Sequence, residues 1–184
     1  MESILQSFLL VFASEMGDKT QLLAFILATK FKQPWAIMAG IGVAAILNHG
    51  IASALGGATS HLIPQEYLKW IIASVFFGFA YWTLHAGEED DEDEAQTYKH
   101  GAFLTTLIAF FIGEMGDKTQ LSAVALGAKF QNPVLVTIGT TLAMLAASFI
   151  PVFFGNQLTQ KVPLSFIKKI AALLFFVFGA LVLL

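Results

Sequence analysis

The sequence predicts an all-α integral membrane protein of six transmembrane helices, built as two inverted three-helix repeats. Three observations carry that prediction. Apolar residues fill 57% of the 184 positions and charged ones only 12%, with 18 Phe and a mean hydropathy of +0.73. So little charge does not suit the surface of a soluble domain, and seven of the thirteen acids stand in one run, Glu88 to Glu94. Second, a shift of 99 positions lays Glu15-Met16-Gly17-Asp18-Lys19-Thr20-Gln21-Leu22 on Glu114-Met115-Gly116-Asp117-Lys118-Thr119-Gln120-Leu121 without a mismatch. The same register pairs Lys30 with Lys129, Phe31 with Phe130, Pro34 with Pro133, Gly40 with Gly139, Pro64 with Pro163 and Phe76-Phe77 with Phe175-Phe176. Third, each copy holds three apolar stretches, and three is odd. After three crossings the chain is on the far side, so the second copy enters the membrane upside down, as in many secondary transporters. The predicted units are residues 1–85 and 101–184, joined by an acidic linker at 86–100.

The spans follow in order. A helix crosses the hydrocarbon core in about 20 residues, and the stretches of that length are 4–28, 34–58, 66–86, 102–127, 133–157 and 164–184. The first lacks a basic leader and continues through charged residues into a full span, so it reads as a membrane helix and not a cleaved signal. Spans two and five begin at Pro34 and Pro133, where a missing N–H costs nothing. Pro64 and Pro163 stand just ahead of spans three and six. None of the six alternates with the period of two that barrel strands need. Pro151, inside span five, predicts a kink. Trp35, Trp70, Trp82, Tyr67 and Tyr81 fall near span ends as an aromatic belt would, and His61, His85 and His100 read as interfacial. The Phe pairs of spans three and six are expected to meet lipid or neighbouring helices.

Loop lysines give the orientation. Those paired by the repeat lie on opposite sides and cancel. Lys32, Lys99, Lys161 and Lys169 are unpaired and share the side of the 1–2, 3–4 and 5–6 loops. That side, with the acidic linker, is expected in the cytoplasm and both termini outside. Other classes fall away. Without Cys there is no disulfide framework, thiolate metal site or cysteine nucleophile. The ten basic residues are all Lys and scattered, so no nucleic-acid footprint is visible.

The chemistry lies in the repeated motif. Glu15 and Asp18 fall halfway along span one, Glu114 and Asp117 halfway along span four, where an ionisable group costs about 2.5–3.5 kcal/mol on the insertion scale. Such groups need partners or a water-filled cavity. On a continuous helix Glu15, Asp18 and Gln21 follow one slanting stripe, as do Glu114, Asp117 and Gln120. Gly17 and Gly116 permit either close helix contact or a break. A pseudo-twofold axis would bring both stripes to one midplane site. The four carboxylates, with Thr20, Thr119, Gln21 and Gln120 as further oxygen donors, suit a hard or borderline divalent cation. Lys19 and Lys118 tune the charge: the two motifs together carry −2, which one divalent ion neutralises. Metal binds the deprotonated carboxylate, so loading the ion expels protons, and alternate occupancy by metal and protons is the minimum physics of an antiporter. A purely structural reading makes Glu15–Lys19 and Glu114–Lys118 helix-stabilising pairs at i,i+4. It leaves both Asp unexplained.

Two copies of Glu-x-Gly-Asp-Lys/Arg-Thr/Ser around an acidic central loop in a six-span chain resemble the cation/proton exchanger family of Golgi manganese/calcium transporters and bacterial manganese exporters. Both motifs match at every fixed position: Glu15, Gly17, Asp18, Lys19 and Thr20, then Glu114, Gly116, Asp117, Lys118 and Thr119. The resemblance covers essentially the whole chain. It implies Mn²⁺ and Ca²⁺ as cargo exchanged for H⁺, the motif acids as ligands, no resident cofactor, no enzymatic activity and a cytoplasmic central loop. The absence of an N-terminal targeting extension fits the short prokaryotic form in the inner membrane, for which the resemblance favours Mn²⁺ export.

Weaker features complete the reading. The run Glu88 to Glu94 is a solvated linker, or else a collector of cations at a cytoplasmic entrance. Asn48 and His49 lie inside span two where the second copy has Ala147 and Ser148; His49 is a candidate proton relay or a hydrogen-bonded core residue. A passive divalent channel using the same acids is the main rival. A membrane protease of the paired-Asp type is disfavoured because each Asp here has a Glu and a Lys beside it. An exporter of small organic cations lacks a visible apolar pocket for a side chain.

Overall fold

A computed structural model describes residues 1–16, 18–60, 62, 64–85, 101–158 and 164–183. The acidic linker, Gly17, His61, Lys99, His100, Lys161 and Pro163 lie outside the described residues, as do the side chains of Lys19, Trp82 and His85. The described chain is helical throughout, with α1 Glu2–Glu15, α2 Lys19–Phe31, α3 Pro34–Ser60, α4 Gln65–His85, α5 Ala102–Gly113, α6 Lys118–Phe130, α7 Pro133–Leu158 and α8 Leu164–Leu183. Helices α3, α4, α7 and α8 coincide with four of the predicted stretches. The two stretches bearing the motif do not form single helices.

The stretch 4–28 is α1 and α2, and 102–127 is α5 and α6, each pair parted at the motif. The cause is local. Gly116 has φ +79°, in the left-handed region that glycine tolerates and that ends helices. Asp18 and Asp117 then take extended conformations at the N-cap positions of α2 and α6. The same three-residue turn closes both breaks, with the Asp18 N–H on the Glu15 carbonyl at 3.2 Å and the Asp117 N–H on that of Glu114 at 3.3 Å. Glu15, Asp18 and Gln21 are therefore not on one continuous helical face. Beyond the motif, α2 and α6 end on left-handed Lys32 and Gln131 before the prolines that open α3 and α7. Helix α3, and Pro133–Phe154 of α7, are each long and apolar enough to cross a membrane alone.

Packing follows the 99-residue offset. Helix α5 lies on α3 where Gly40 meets the Phe103 carbonyl and Thr106; α1 lies on α7 where Gly139 meets the Ile4 carbonyl and Ser7. Each residue of one crossing is the repeat mate of one in the other, the reciprocity of an isologous contact. Between α4 and α8, Phe76 faces its mate Phe175 at 6.4 Å and Phe77 faces Phe176 at 5.3 Å. These pairs meet a neighbouring helix, as expected of them.

Two apolar cores flank the breaks. One joins Leu10, Val11, Phe76, Phe79, Leu126, Val136 and Phe175, so α4 and α8 brace α1 and α6. The other joins Leu27, Ile37, Ile41, Phe110, Met144 and Val152, and its buried members come from α2, α3, α5 and α7.

Candidate metal centre

The two breaks meet. Glu15, at the end of α1, and Glu114, just past the end of α5, are both 1% exposed. With Asp117 they offer carboxylate oxygens that all lie within 4.8 Å of one another. Among the described residues this is the acidic group that can share one ion. Glu15 and Glu114 are repeat mates, so the site brings equivalent residues of the two copies together, like the Phe pairs of α4 and α8.

Each Glu is held in the same way. The Thr20 hydroxyl donates to Glu15 Oε2 at 2.7 Å, and Thr119 donates to Glu114 Oε2 at 2.7 Å. Glu15 Oε1 has no hydrogen-bond partner among the described residues. The break produces this geometry: the Glu closes one helix, the Thr sits in the first turn of the next, and the bond spans the gap. Both hydroxyls thus position the carboxylates, whatever oxygens they add to an ion.

Asp18 stands differently. Lys118, from the other copy, forms an ion pair and hydrogen bond with Asp18 Oδ1 at 2.7 Å, with both side chains 18% exposed. The same ammonium lies within electrostatic reach of Glu15 and Asp117. Neither Asp spends its side chain on capping its helix, which leaves both carboxylates for partners across the site. The structure thus gathers Glu15, Glu114 and Asp117, and ties Asp18 to a cation from the opposite repeat.

The glutamines part company. Gln21 Nε2 donates to the Ala147 carbonyl on α7 at 3.0 Å and contacts Met16 Sδ at 3.5 Å. Gln120 Oε1 accepts the Gly116 N–H at 2.7 Å, bracing the second break. Asn48 has a role the sequence hid. Its Nδ2 donates to the Phe111 carbonyl at 2.9 Å, whose helical partner, the Met115 N–H, turns to Ile112 at 3.1 Å instead. Asn48 therefore covers a carbonyl that the break exposes, as buried backbone requires. His49 beside it is fully buried, and neither ring nitrogen has a hydrogen-bond partner among the described residues.

Comparison with known proteins bears on this site. A family profile described as "Divalent cation/proton antiporter GDT1" matches residues 3–91 and 102–184. A protein of Vibrio cholerae named "Putative manganese exporter" is 39% identical over 163 residues, covering 88% of this chain and 80% of its own length. "GDT1-like protein 5" of Arabidopsis thaliana is 30% identical over 221 residues, with 97% and 96% covered. "GDT1-like protein sll0615" of Synechocystis is 26% identical over 191 residues, with 93% and 91% covered. No solved structure is a significant match. The motif-bearing breaks fall inside the matched segments, and the chain belongs to the GDT1 family of divalent cation/proton antiporters.

Proposed function

We propose that this chain exports Mn²⁺ in exchange for protons, with Ca²⁺ as a second cargo, through one site shared by both repeats. The observation that carries the reading is the meeting of Glu15, Glu114 and Asp117 oxygens within 4.8 Å, two of the three carboxylates being wholly buried. Three hard oxygen donors from side chains that hold either a metal or protons are what an exchanger needs. The V. cholerae relative's name supports manganese as cargo.

In this reading α1–α2 and α5–α6 each cross the bilayer as a broken helix, α3, α4, α7 and α8 cross whole, and the two halves are inverted. The termini lie outside and the acidic linker in the cytoplasm of a prokaryotic cell. Irregular backbone at membrane depth is tolerated where it lines a polar site, and half-helix ends there complement charge. Glu15, Glu114 and Asp117 hold the ion and carry the protons. Asp18 joins them when Lys118 releases it, and Lys19 takes the equivalent part in the first copy. His49, next to the Asn48 that reaches the end of α5, relays protons to the site.

Titrating Mn²⁺ into the purified protein and following free ion by paramagnetic resonance tests the site. One bound ion per chain is expected, lost in both Glu15→Gln and Glu114→Gln. Undiminished binding in both variants would place the cargo elsewhere.

A further inference from the structure

The motif is identical in the two copies, but the helices around it are not, and the differences fall around α2 in one copy and α6 in the other. Helix α7 contains Pro151. Proline has no N–H, so the carbonyl four residues earlier, that of Ala147, loses its helical donor. Gln21 supplies the replacement at 3.0 Å. The repeat mate of Pro151 is Ala52, so α3 has an N–H at that place.

At the other end α6 crosses α3 backbone to backbone. A Cβ on Gly56 would collide with the Val124 carbonyl, and one on Gly127 with the Ser53 carbonyl. The mates of these glycines are Gly155 and Ala28; the methyl of Ala28 bars α2 from approaching α7 as closely. Beside that crossing Ser53 ties α3 to the start of α7, its hydroxyl 2.9 Å from that of Thr137 and 3.2 Å from the Pro133 carbonyl. The mates of Ser53 and Thr137 are Val152 and Met38, which have no hydroxyls. The bracing of α6 by α4 adds to the same end.

We propose that the two ends of the pathway open unequally: α7 hinges at Pro151 to open the end it forms with α2, Gln21 links that hinge to the motif, and close backbone packing holds the α3–α6 end shut. A proline removes one hydrogen bond from a helix and is the commonest cause of a sharp bend. The opposite end has to separate tightly packed backbone before it opens. Gln21 is thus a positioning residue: any bend at Pro151 moves the carbonyl it holds, and Gln21 sits in the first turns of α2, directly after Thr20. The inference rests on the exchanger reading, since gates need a route between them.

The test uses the chain's lack of Cys. Leu27 and Leu126 are repeat mates, both 0% exposed, one at each end. In nanodiscs, with both faces open to a water-soluble maleimide and no metal, the Leu27→Cys variant is expected to react about tenfold faster than Leu126→Cys, reflecting unequal populations of the two open forms. Adding Pro151→Ala to Leu27→Cys restores the helical N–H and slows labelling several-fold. Adding Gly127→Ala to Leu126→Cys wedges α6 off the Ser53 backbone and speeds it, with monodisperse elution confirming the fold. Equal rates, the reverse order, or no response to Pro151→Ala would overturn the proposal. Labelling needs no transport, so a failed exchange assay and a failed hinge are separate results.

Discussion

Glu114→Gln is expected to abolish metal transport while the protein still inserts and folds, and Glu15→Gln is expected to do the same. The amide is nearly isosteric and its oxygen can still accept the hydrogen bond that Thr119 or Thr20 gives the native carboxylate at 2.7 Å. Packing around the break is then preserved. What is lost is charge: a neutral amide is a poor ligand for a hard divalent ion and carries no transferable proton. With only two acids of the cluster left, the bound ion is neither fully compensated nor coupled to a full complement of protons. Loss of about a hundredfold or more in transport rate corresponds to about 2.7 kcal/mol or more in activation free energy. Uptake of Mn²⁺ into vesicles, with thermal unfolding measured on the same preparations, separates this from misfolding. Transport retained in both variants would remove the shared site.

The second large effect is on pH. In the proposed exchange metal and protons bind the same carboxylate oxygens, so as pH falls protons are expected to displace the ion and lower its apparent affinity. Where two protons leave for each ion bound, apparent affinity changes by about 100-fold per pH unit, and by about tenfold where one leaves. The sign is fixed: binding is tightest on the alkaline side and is lost as the acids take up protons. Lys118 bears on the magnitude, because its ammonium reaches Asp18 at 2.7 Å and acts on Glu15 and Asp117 as well. Replacing it with Met removes a cation that stabilises the ionised forms, so more protons are displaced per ion and the pH dependence steepens. Calorimetric Mn²⁺ titrations in buffers of different ionisation enthalpy count the protons released. Affinity that is flat from about pH 8 down to pH 4 would mean that metal and protons do not compete.

Much of this architecture is legible in the sequence because its signals are local. Pro34 and Pro133 open α3 and α7 because proline suits the first turn of a helix. The 99-residue register recurs in the helix starts at Lys19 and Lys118, and at Pro34 and Pro133, and in the Phe76–Phe175 and Phe77–Phe176 contacts. The breaks are less visible. An average over 20 residues cannot register a turn of three or four, although Gly-Asp does read as a helix stop followed by an N-cap. Taking the motif as continuous helix put Glu15, Asp18 and Gln21 on one stripe, whereas the break sends the two Glu to the shared cluster and Gln21 to α7.

Other roles are nonlocal and have no sequence signal. Asn48 is explained only when α3 is seen beside the end of α5, with an exposed carbonyl within 2.9 Å. Lys118 has Glu114 four residues before it, an arrangement that reads as an intrahelical pair, but α6 begins at Lys118 and its ammonium reaches across to the other repeat. Pro151 suggests a kink by itself. Its consequence, an accepting carbonyl for Gln21, depends on where α2 lies. In each case the residue satisfies a backbone or charge demand created by a helix that is distant in sequence.

The most direct test of the central claim follows protons and metal together. Purified protein is reconstituted in liposomes enclosing a pH dye, and Mn²⁺ or Ca²⁺ is added outside. The lumen is expected to turn alkaline as metal enters, an effect abolished by Glu114→Gln. Metal entry without any proton movement in the opposite direction would make the protein a channel or uniporter and contradict exchange at the shared carboxylates.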